Sequence, residues 1–437
     1  YLIYGLQKSG LSLVKLCINH KIKFKIWDDN SLVRNNLKKK YNSEYFFNFK
    51  KNNLNDFDKI FVSPGISLRQ KIFQKNDIIK KVNRDLNLYK EYIKNEKIIA
   101  VTGTNGKSTT TKLIGDILNK NKIKTFIGGN IGEPLCNAFI LRKKFNFHVI
   151  ELSSFQLETI KLLKTKISII TNLSSDHLDR YKDVIDYIKQ KKNIISKNGI
   201  NLFSLDDIYS RKIFNQIKIK NKISFSLFDK SADCYINENY ILDNYFKKSK
   251  KLLIKKISKD LEGHFNNQNI LVAYICCKIL KLSETNFLEV IKSFKGLPFR
   301  SSIIFNNNKL KIINNSKSTN LNSTINSIKN YNNIYLILGG IAKEENFEII
   351  SKYKKKLNCV YTFGKSGSFI EKKLKKELNV KRFQNLKLVI KKILKDIKQN
   401  KNFSTILFAP ACSSYDQYKN FEERGAHFNK LIKNNLH

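Results

Sequence analysis

Ile98-Ile99-Ala100-Val101-Thr102-Gly103-Thr104-Asn105-Gly106-Lys107-Ser108 is the stretch whose reading decides the fold. The apolar run Ile98 to Val101 predicts a buried parallel strand, and Thr109 to Leu118 predicts a helix. Between them lies a glycine-rich loop. Strand, loop and helix N-terminus together make a phosphate cradle, because glycines let backbone N–H groups approach phosphate oxygens and the helix dipole favours an anion. Lys107 is expected to reach the β- and γ-phosphates, and the Ser108 hydroxyl to sit on Mg²⁺. Val101 stands where the pattern G-x-x-x-x-G-K-[ST] has its first glycine. A glycine turn ahead of an ordinary helix is therefore the competing reading.

Outward from this loop the chain reads as three α/β blocks. In the first, short apolar strands at Leu2 to Tyr4, Phe24 to Trp27 and Ile60 to Val62 alternate with helical stretches. Gly5-Leu6-Gln7-Lys8-Ser9-Gly10 follows the first strand and Asp28-Asp29 ends the second, the layout of a Rossmann-type nucleotide site. Gln7 replaces the middle glycine of that fingerprint, so a plain strand–helix turn fits equally well. The second block starts near Glu96, with further strands at His148 to Leu152 and Ile167 to Thr171. Ser231 to Asn244 reads as a hairpin insertion. The third block starts near Leu297-Pro298, with strands at Leu310 to Ile313, Ile334 to Leu338, Val360 to Phe363 and Thr405 to Phe408. Such alternation implies mostly parallel sheets. The expected class is α/β with three domains: Rossmann-like 1–93, central P-loop 94–295 and Rossmann-like 296–437.

The bulk numbers fit. A chain of 437 residues with 41% hydrophobic content can build several cores. Seven cysteines without a C-x-x-C pair read as small buried hydrophobes in a reducing compartment. No apolar run is long enough to span a membrane, since the best candidate, Ile270 to Leu280, is broken by Lys278. No leader pattern is legible, although the first residue is Tyr1. The net charge of +46 points at first to nucleic acid. However, only 9 of the 82 basic residues are arginine, the residue that nucleic-acid sites favour for bidentate contacts. The 73 lysines are also spread along the whole chain. Together with abundant Asn, Ile, Tyr and Phe, this reads as compositional bias, and no nucleic-acid partner is expected.

Three further stretches carry candidate chemistry. Glu151-Leu152-Ser153-Ser154-Phe155-Gln156 follows an apolar strand, and a carboxylate at a strand's C-terminal end beside a phosphate loop is placed to hold Mg²⁺. Thr171 to Arg180 includes His177, one of only six histidines, between Asp176 and Asp179, which favours a ligand over a core histidine. Phe408 to Gln417 is expected to end a strand and open a helix. There Ser413 and Ser414 either cap the helix or help its N-terminus hold a carboxylate.

These stretches, in this order, resemble the Mur ligases, which add amino acids to the peptidoglycan precursor. The likeness runs over essentially the whole chain, through Gly103 to Thr109, Gly129 to Gly132, Glu151 to Glu158, Asp176 to Tyr181, Gly296 to Pro298, Ser316 to Asn320 and Pro410 to Gly425. The stretches at Glu151 and Pro410 are the most specific to the D-glutamate-adding branch. The resemblance implies a cytoplasmic, monomeric, ATP-dependent ligase without a membrane span. ATP would convert the carboxylate of UDP-N-acetylmuramoyl-L-alanine to an acyl phosphate, which the amine of D-glutamate attacks. It also implies two Mg²⁺ ions, one on Ser108 and Glu151, the other on His177 and a carbamylated Lys191; Lys107, Glu151, His177 and Lys191 would form the catalytic set.

By the same resemblance ATP would meet Gly103, Thr104, Asn105, Gly106, Lys107, Ser108, Thr109, Asn266, Asn269, Arg300 and Asn315. The UDP-sugar would meet Ser9, Asp28, Ser63, Gly65, Asn130 and Gln156. D-Glutamate would meet Thr319, Lys343, Ser414, Tyr415 and Phe421. Phe265, Phe299, Ser302, Asn315 and Ala342 depart from the family pattern, mostly on the adenine side. They imply weakened ATP binding with phosphoryl transfer intact, or at the extreme a non-catalytic relative. A Mur ligase for another amino acid and a folylpolyglutamate synthase are rivals that the Pro410 to Gly425 stretch argues against.

Overall fold

The computed structural model describes residues 1–49, 53–141, 143–178, 180–246, 250–254, 257–398 and 402–436. These residues form three sheets. Leu2–Tyr4, Lys25–Trp27, Ile60–Val62 and Val82–Asn83 form a four-stranded parallel sheet, with Leu2–Tyr4 paired on both sides. Leu2, Ile3, Ile60, Phe61 and Val62 are fully buried, which is why these strands read as continuous apolar runs rather than alternating ones.

The second sheet has nine strands. Lys97–Thr102, the strand ahead of the phosphate loop, lies between Phe147–Glu151 and Ile167–Ile170, parallel to both. Chain order reverses at this strand, and the crevice beyond the strand ends at such a point is where open α/β sheets bind ligands. The expected insertion is present: Cys234–Asn237 and Tyr240–Asp243 pair antiparallel, and Lys250–Leu253 adds a third strand at the sheet edge. The third sheet has six strands, parallel except for Ser302–Asn306 against Leu310–Asn314.

By contact density the chain divides into two compact units. The first holds Tyr1–Ser175, Arg180–Lys255 and Gln268–Val290, and so contains the first two sheets. The second holds Asp176–Asp179, Lys256–Asn267 and Ile291–His437. All seven cysteines are buried and free. Among the described residues no helix is long and apolar enough to cross a membrane.

Within the first unit the helix Asp85–Tyr92 packs between the sheets. Tyr89 Oη lies 2.7 Å from His148 Nδ1, and both residues are buried. Burial pushes the His148 pKa down to about 4. The folded state therefore keeps the imidazole neutral, while the unfolded chain takes up a proton near pH 6.5. Stability contributed by this neutral histidine is present above about pH 6.5 and falls as the pH drops towards 4, with a slope of at most about 1.4 kcal/mol per pH unit. Urea midpoints at pH 7.0, 6.0 and 5.0 should show this decline, and His148→Asn should flatten it. An unchanged slope in the variant would remove His148 as its source.

Candidate active site

The loop after Lys97–Thr102 is held open by glycines where no side chain fits. Gly106 adopts φ +81° as the N-cap of the helix Lys107–Lys120, and a Cβ there would lie 2.5 Å from Asn269 Oδ1. At Gly103, φ is +143° and a Cβ would lie 2.0 Å from Thr171 Oγ1. The loop is braced from its flank. Asn172 O accepts from Thr104 N at 2.8 Å and Asn172 Oδ1 from Asn105 N at 2.9 Å, while Asn172 Nδ2 donates to Gln268 Oε1 at 2.9 Å. Thr110 donates to Asn269 Oδ1 at 3.0 Å. These bonds fix the loop before any ligand arrives, which lowers the ordering cost of binding.

Two lysine amines rest on consecutive loop carbonyls. Lys107 Nζ donates to Thr104 O at 2.8 Å, and Lys191 Nζ to Gly103 O at 2.7 Å and Thr102 Oγ1 at 3.2 Å. Lys191 is 2% exposed and lies 4.9 Å from the centre of the Tyr187 ring. Lys189 and Lys192 share its helix, Val184–Lys192, but are exposed. Tyr187 Oη in turn meets Thr104 Oγ1 at 3.2 Å. Ser108 Oγ donates to Glu151 Oε2, and Asn130 Nδ2 to Glu151 Oε1 at 2.7 Å. Hydroxyl and carboxylate thus meet at the head of the phosphate-loop helix, a pair of hard oxygen donors suited to Mg²⁺. Thr109, one residue on, is half-buried in the first turn of that helix.

In the first sheet, Asp28 accepts from Leu6 N at 2.7 Å and Asn30 N at 2.9 Å, fastening the Gly5–Gly10 turn. Ser63 Oγ donates to Gly5 O at 2.7 Å. Gly65 has open space around its Cα and accepts from Arg180 Nη1 at 3.0 Å. The Arg180 guanidinium lies 4.3 Å over the Phe155 ring. Gln156 is buried beside Asp85.

The second unit gathers a different set. His177, in the left-handed region at φ +56°, has Nδ1 3.5 Å from Lys343 Nζ and Nε2 3.7 Å from Asp176 Oδ2. Asn320 Nδ2 also donates to Asp176 Oδ2, at 3.2 Å. Asp179 lies outside the described residues, as does the side chain of Phe265. Ile341 and Ser413 exchange two backbone bonds of 2.9 Å, which lays the Lys343 loop beside Ser414. Ser414 is buried, Thr319 half-buried and Tyr415 72% exposed, while Phe421 carries Lys317 Nζ 4.2 Å from its ring centre. Asn266, 4% exposed, donates to Glu262 O at 3.4 Å. Arg300 is half-buried. Asn315 Nδ2 donates to Ser327 Oγ at 2.7 Å, and the Phe299 ring sits where a Cβ on Gly425 would be.

One expectation is corrected. Phe408 to Gln417 does not open a helix. After the strand Ser404–Phe408 the chain runs through bends and turns, and the helix begins at Phe421. Its cap is Asn420, whose Oδ1 accepts from Glu423 N at 2.8 Å, rather than Ser413 or Ser414. The delay has a cause: Ser413 is committed to the bridge with Ile341.

Sequence reading assigned no role to three buried residues. Arg84 and Arg424 are fully buried. Arg84 donates to the carbonyls of Val62, Ser63, Ile66 and Phe155 and pairs with Glu158. Arg424 donates to Ser316, Gly339 and Cys412, joining three loops at the strand ends; burial lowers its pKa to about 10. Asp85 is the third. The only available signal was the scarcity of arginine against so much lysine.

The family description "Mur ligase MurD-like, N-terminal domain" matches residues 1–80, and "Mur ligase middle domain" matches 101–277. The UDP-N-acetylmuramoylalanine--D-glutamate ligase of Rickettsia bellii is 34% identical over 98% of this chain and 96% of its own length. Its counterpart in Buchnera aphidicola subsp. Schizaphis graminum is 38% identical over 99% and 97%. Among solved structures, the UDP-N-acetylmuramate-alanine ligase of Thermotoga maritima covers 99% of both chains with a TM-score of 0.63 at 17% identity. A second ligase of that organism, solved in complex with ADP, covers 86% of this chain and 89% of its own, with a TM-score of 0.60 at 16% identity.

Proposed function

The chain belongs to the Mur ligase family, and from that premise we propose that it is the D-glutamate-adding member. It is an ATP-dependent ligase that joins D-glutamate to UDP-N-acetylmuramoyl-L-alanine through an acyl phosphate in peptidoglycan precursor synthesis. One observation carries the substrate assignment: end-to-end likeness at 34% and 38% identity to two D-glutamate ligases. The fixed phosphate loop and the Ser108–Glu151 pair supply the means. Amide formation from a free carboxylate needs a leaving group, and phosphorylation provides one. The reaction then depends on placing the phosphoryl group and screening its charge.

In this reading Lys107 contacts the β- and γ-phosphates from the Gly103–Thr109 loop. Asn266, Asn269, Arg300 and Asn315 serve the rest of the nucleotide. Ser9, Asp28, Ser63, Gly65, Asn130 and Gln156 serve the UDP-sugar; Thr319, Lys343, Ser414, Tyr415 and Phe421 serve D-glutamate. Mg²⁺, when bound, neutralises charge on the transferring phosphoryl group. Ser108 and Glu151 suit one ion as they stand. His177 offers a nitrogen to a second, but an ammonium offers no lone pair, so Lys191 joins it only as a carbamate. The proposed division at 93/94 and 295/296 gives each segment one sheet. The protein is proposed to act as a cytoplasmic monomer.

The direct test is phosphate release with ATP and UDP-N-acetylmuramoyl-L-alanine. Turnover is expected with D-glutamate and to fall to background with L-glutamate, with L-alanine or with no amino acid. Equal rates with L-glutamate would sink the D-glutamate assignment.

A further inference from the structure

We propose that Asp85 is a specificity-determining positioning residue that fixes which hydrogen-bonding group Gln156 presents to the UDP-sugar. The inference rests on the proposed function for the role of Gln156. Its own basis is a closed set of contacts.

Gln156 opens the argument because its amide is gripped at both ends. Its Oε1 accepts from Ser153 N and from Ser153 Oγ, each at 3.1 Å. Its Nε2 lies 3.3 Å and 3.5 Å from the two carboxylate oxygens of Asp85. A backbone N–H demands an acceptor and a carboxylate demands a donor, so the amide has one allowed orientation. One N–H then remains to meet a ligand.

Asp85 is itself held. Leu86 N donates to its Oδ1 at 3.0 Å, and it is 2% exposed. The neighbouring Arg84 ties the same region to Ser63 and Ile66. Keeping a carboxylate buried is costly, and burial raises its pKa despite Arg84 alongside. A mere packing residue would avoid that cost. Asp85 thus makes position 156 a donor. The matching ligand offers a carbonyl, hydroxyl or phosphate oxygen to Gln156, as an N-acetylated sugar nucleotide can.

Two variants separate polarity from packing. In Asp85→Asn either amide orientation leaves one N–H facing another donor. In the double variant Asp85→Asn/Gln156→Glu an amide again faces a carboxylate, with donor and acceptor exchanged. The contact is restored, but position 156 no longer has an N–H to give. Titration calorimetry with UDP-N-acetylmuramoyl-L-alanine and, separately, Mg-ATP reads binding, and thermal melting reads the fold. The single variant should bind the UDP-sugar about tenfold more weakly, the worth of roughly one hydrogen bond, with ATP affinity within about twofold. The double variant should recover its melting temperature but not its affinity. Full recovery of affinity would make Asp85 a structural bolt and overturn the inference. So would wild-type affinity in the single variant, or an equal loss for ATP. Wild-type protein that fails to bind the UDP-sugar would overturn the proposed function and this inference with it.

Discussion

Lys107→Ala should lower kcat by about 10³ or more, because phosphate clamps act chiefly by stabilising charge in the transition state. The helix Lys107–Lys120 should survive the change. Its N-cap is the backbone of Gly106, and the Lys107 amine donates to Thr104 O at the loop's own edge. Single-turnover phosphate release would separate the chemical step from product release, and circular dichroism would check the fold. A variant within tenfold of wild type would make the loop structural and not catalytic.

Lys191→Ala should cost on the order of 10²-fold or more in kcat, with part of the loss recovered by added short carboxylic acids. The recovery is the informative part. A carbamate forms when the lysine amine bonds to carbon dioxide and releases a proton, and a small carboxylate can then stand in for its two oxygens. Of the three lysines in the last turn of its helix, Lys191 alone is buried against the phosphate loop. Lys192→Ala should therefore retain activity. Acid-dependent recovery in Lys192→Ala, and none in Lys191→Ala, would place the modified side chain one residue on.

The parts legible in the sequence were those encoded locally. Ile98 to Val101, Gly103, Gly106 and Lys107 lie within ten residues of one another, and their spacing alone sets strand, loop and helix. The strands at Leu2, Ile60, Ile334 and Thr405 were equally readable, since buried parallel strands are short unbroken apolar runs. What could not be read depends on partners far along the chain. Arg84 finds Glu158 across 74 residues and Arg424 finds Ser316 across 108. Neither pairing has a local pattern. The misplaced helix start has the same origin. Ser413 and Ser414 are good capping residues by type, but Ser413 is claimed by Ile341, 72 residues earlier. Asn420 caps instead, a residue type as favourable as serine.

The ring of carbonyls around Arg84 also bears on how the chain is made. Val62, Ser63 and Ile66 precede the arginine, but Phe155 and Glu158 follow it by more than 70 residues. During synthesis the guanidinium therefore waits with only part of its partners until the middle of the second sheet's sequence has emerged. Ser12 waits likewise for Asn137, and Tyr89 for His148. A peptide ending at residue 93 would lack Phe155 and Glu158 as partners for Arg84, Asn137 for Ser12 and His148 for Tyr89. The amino-terminal sheet emerges first, but the polar partners that complete it belong to a later stretch of the same polypeptide.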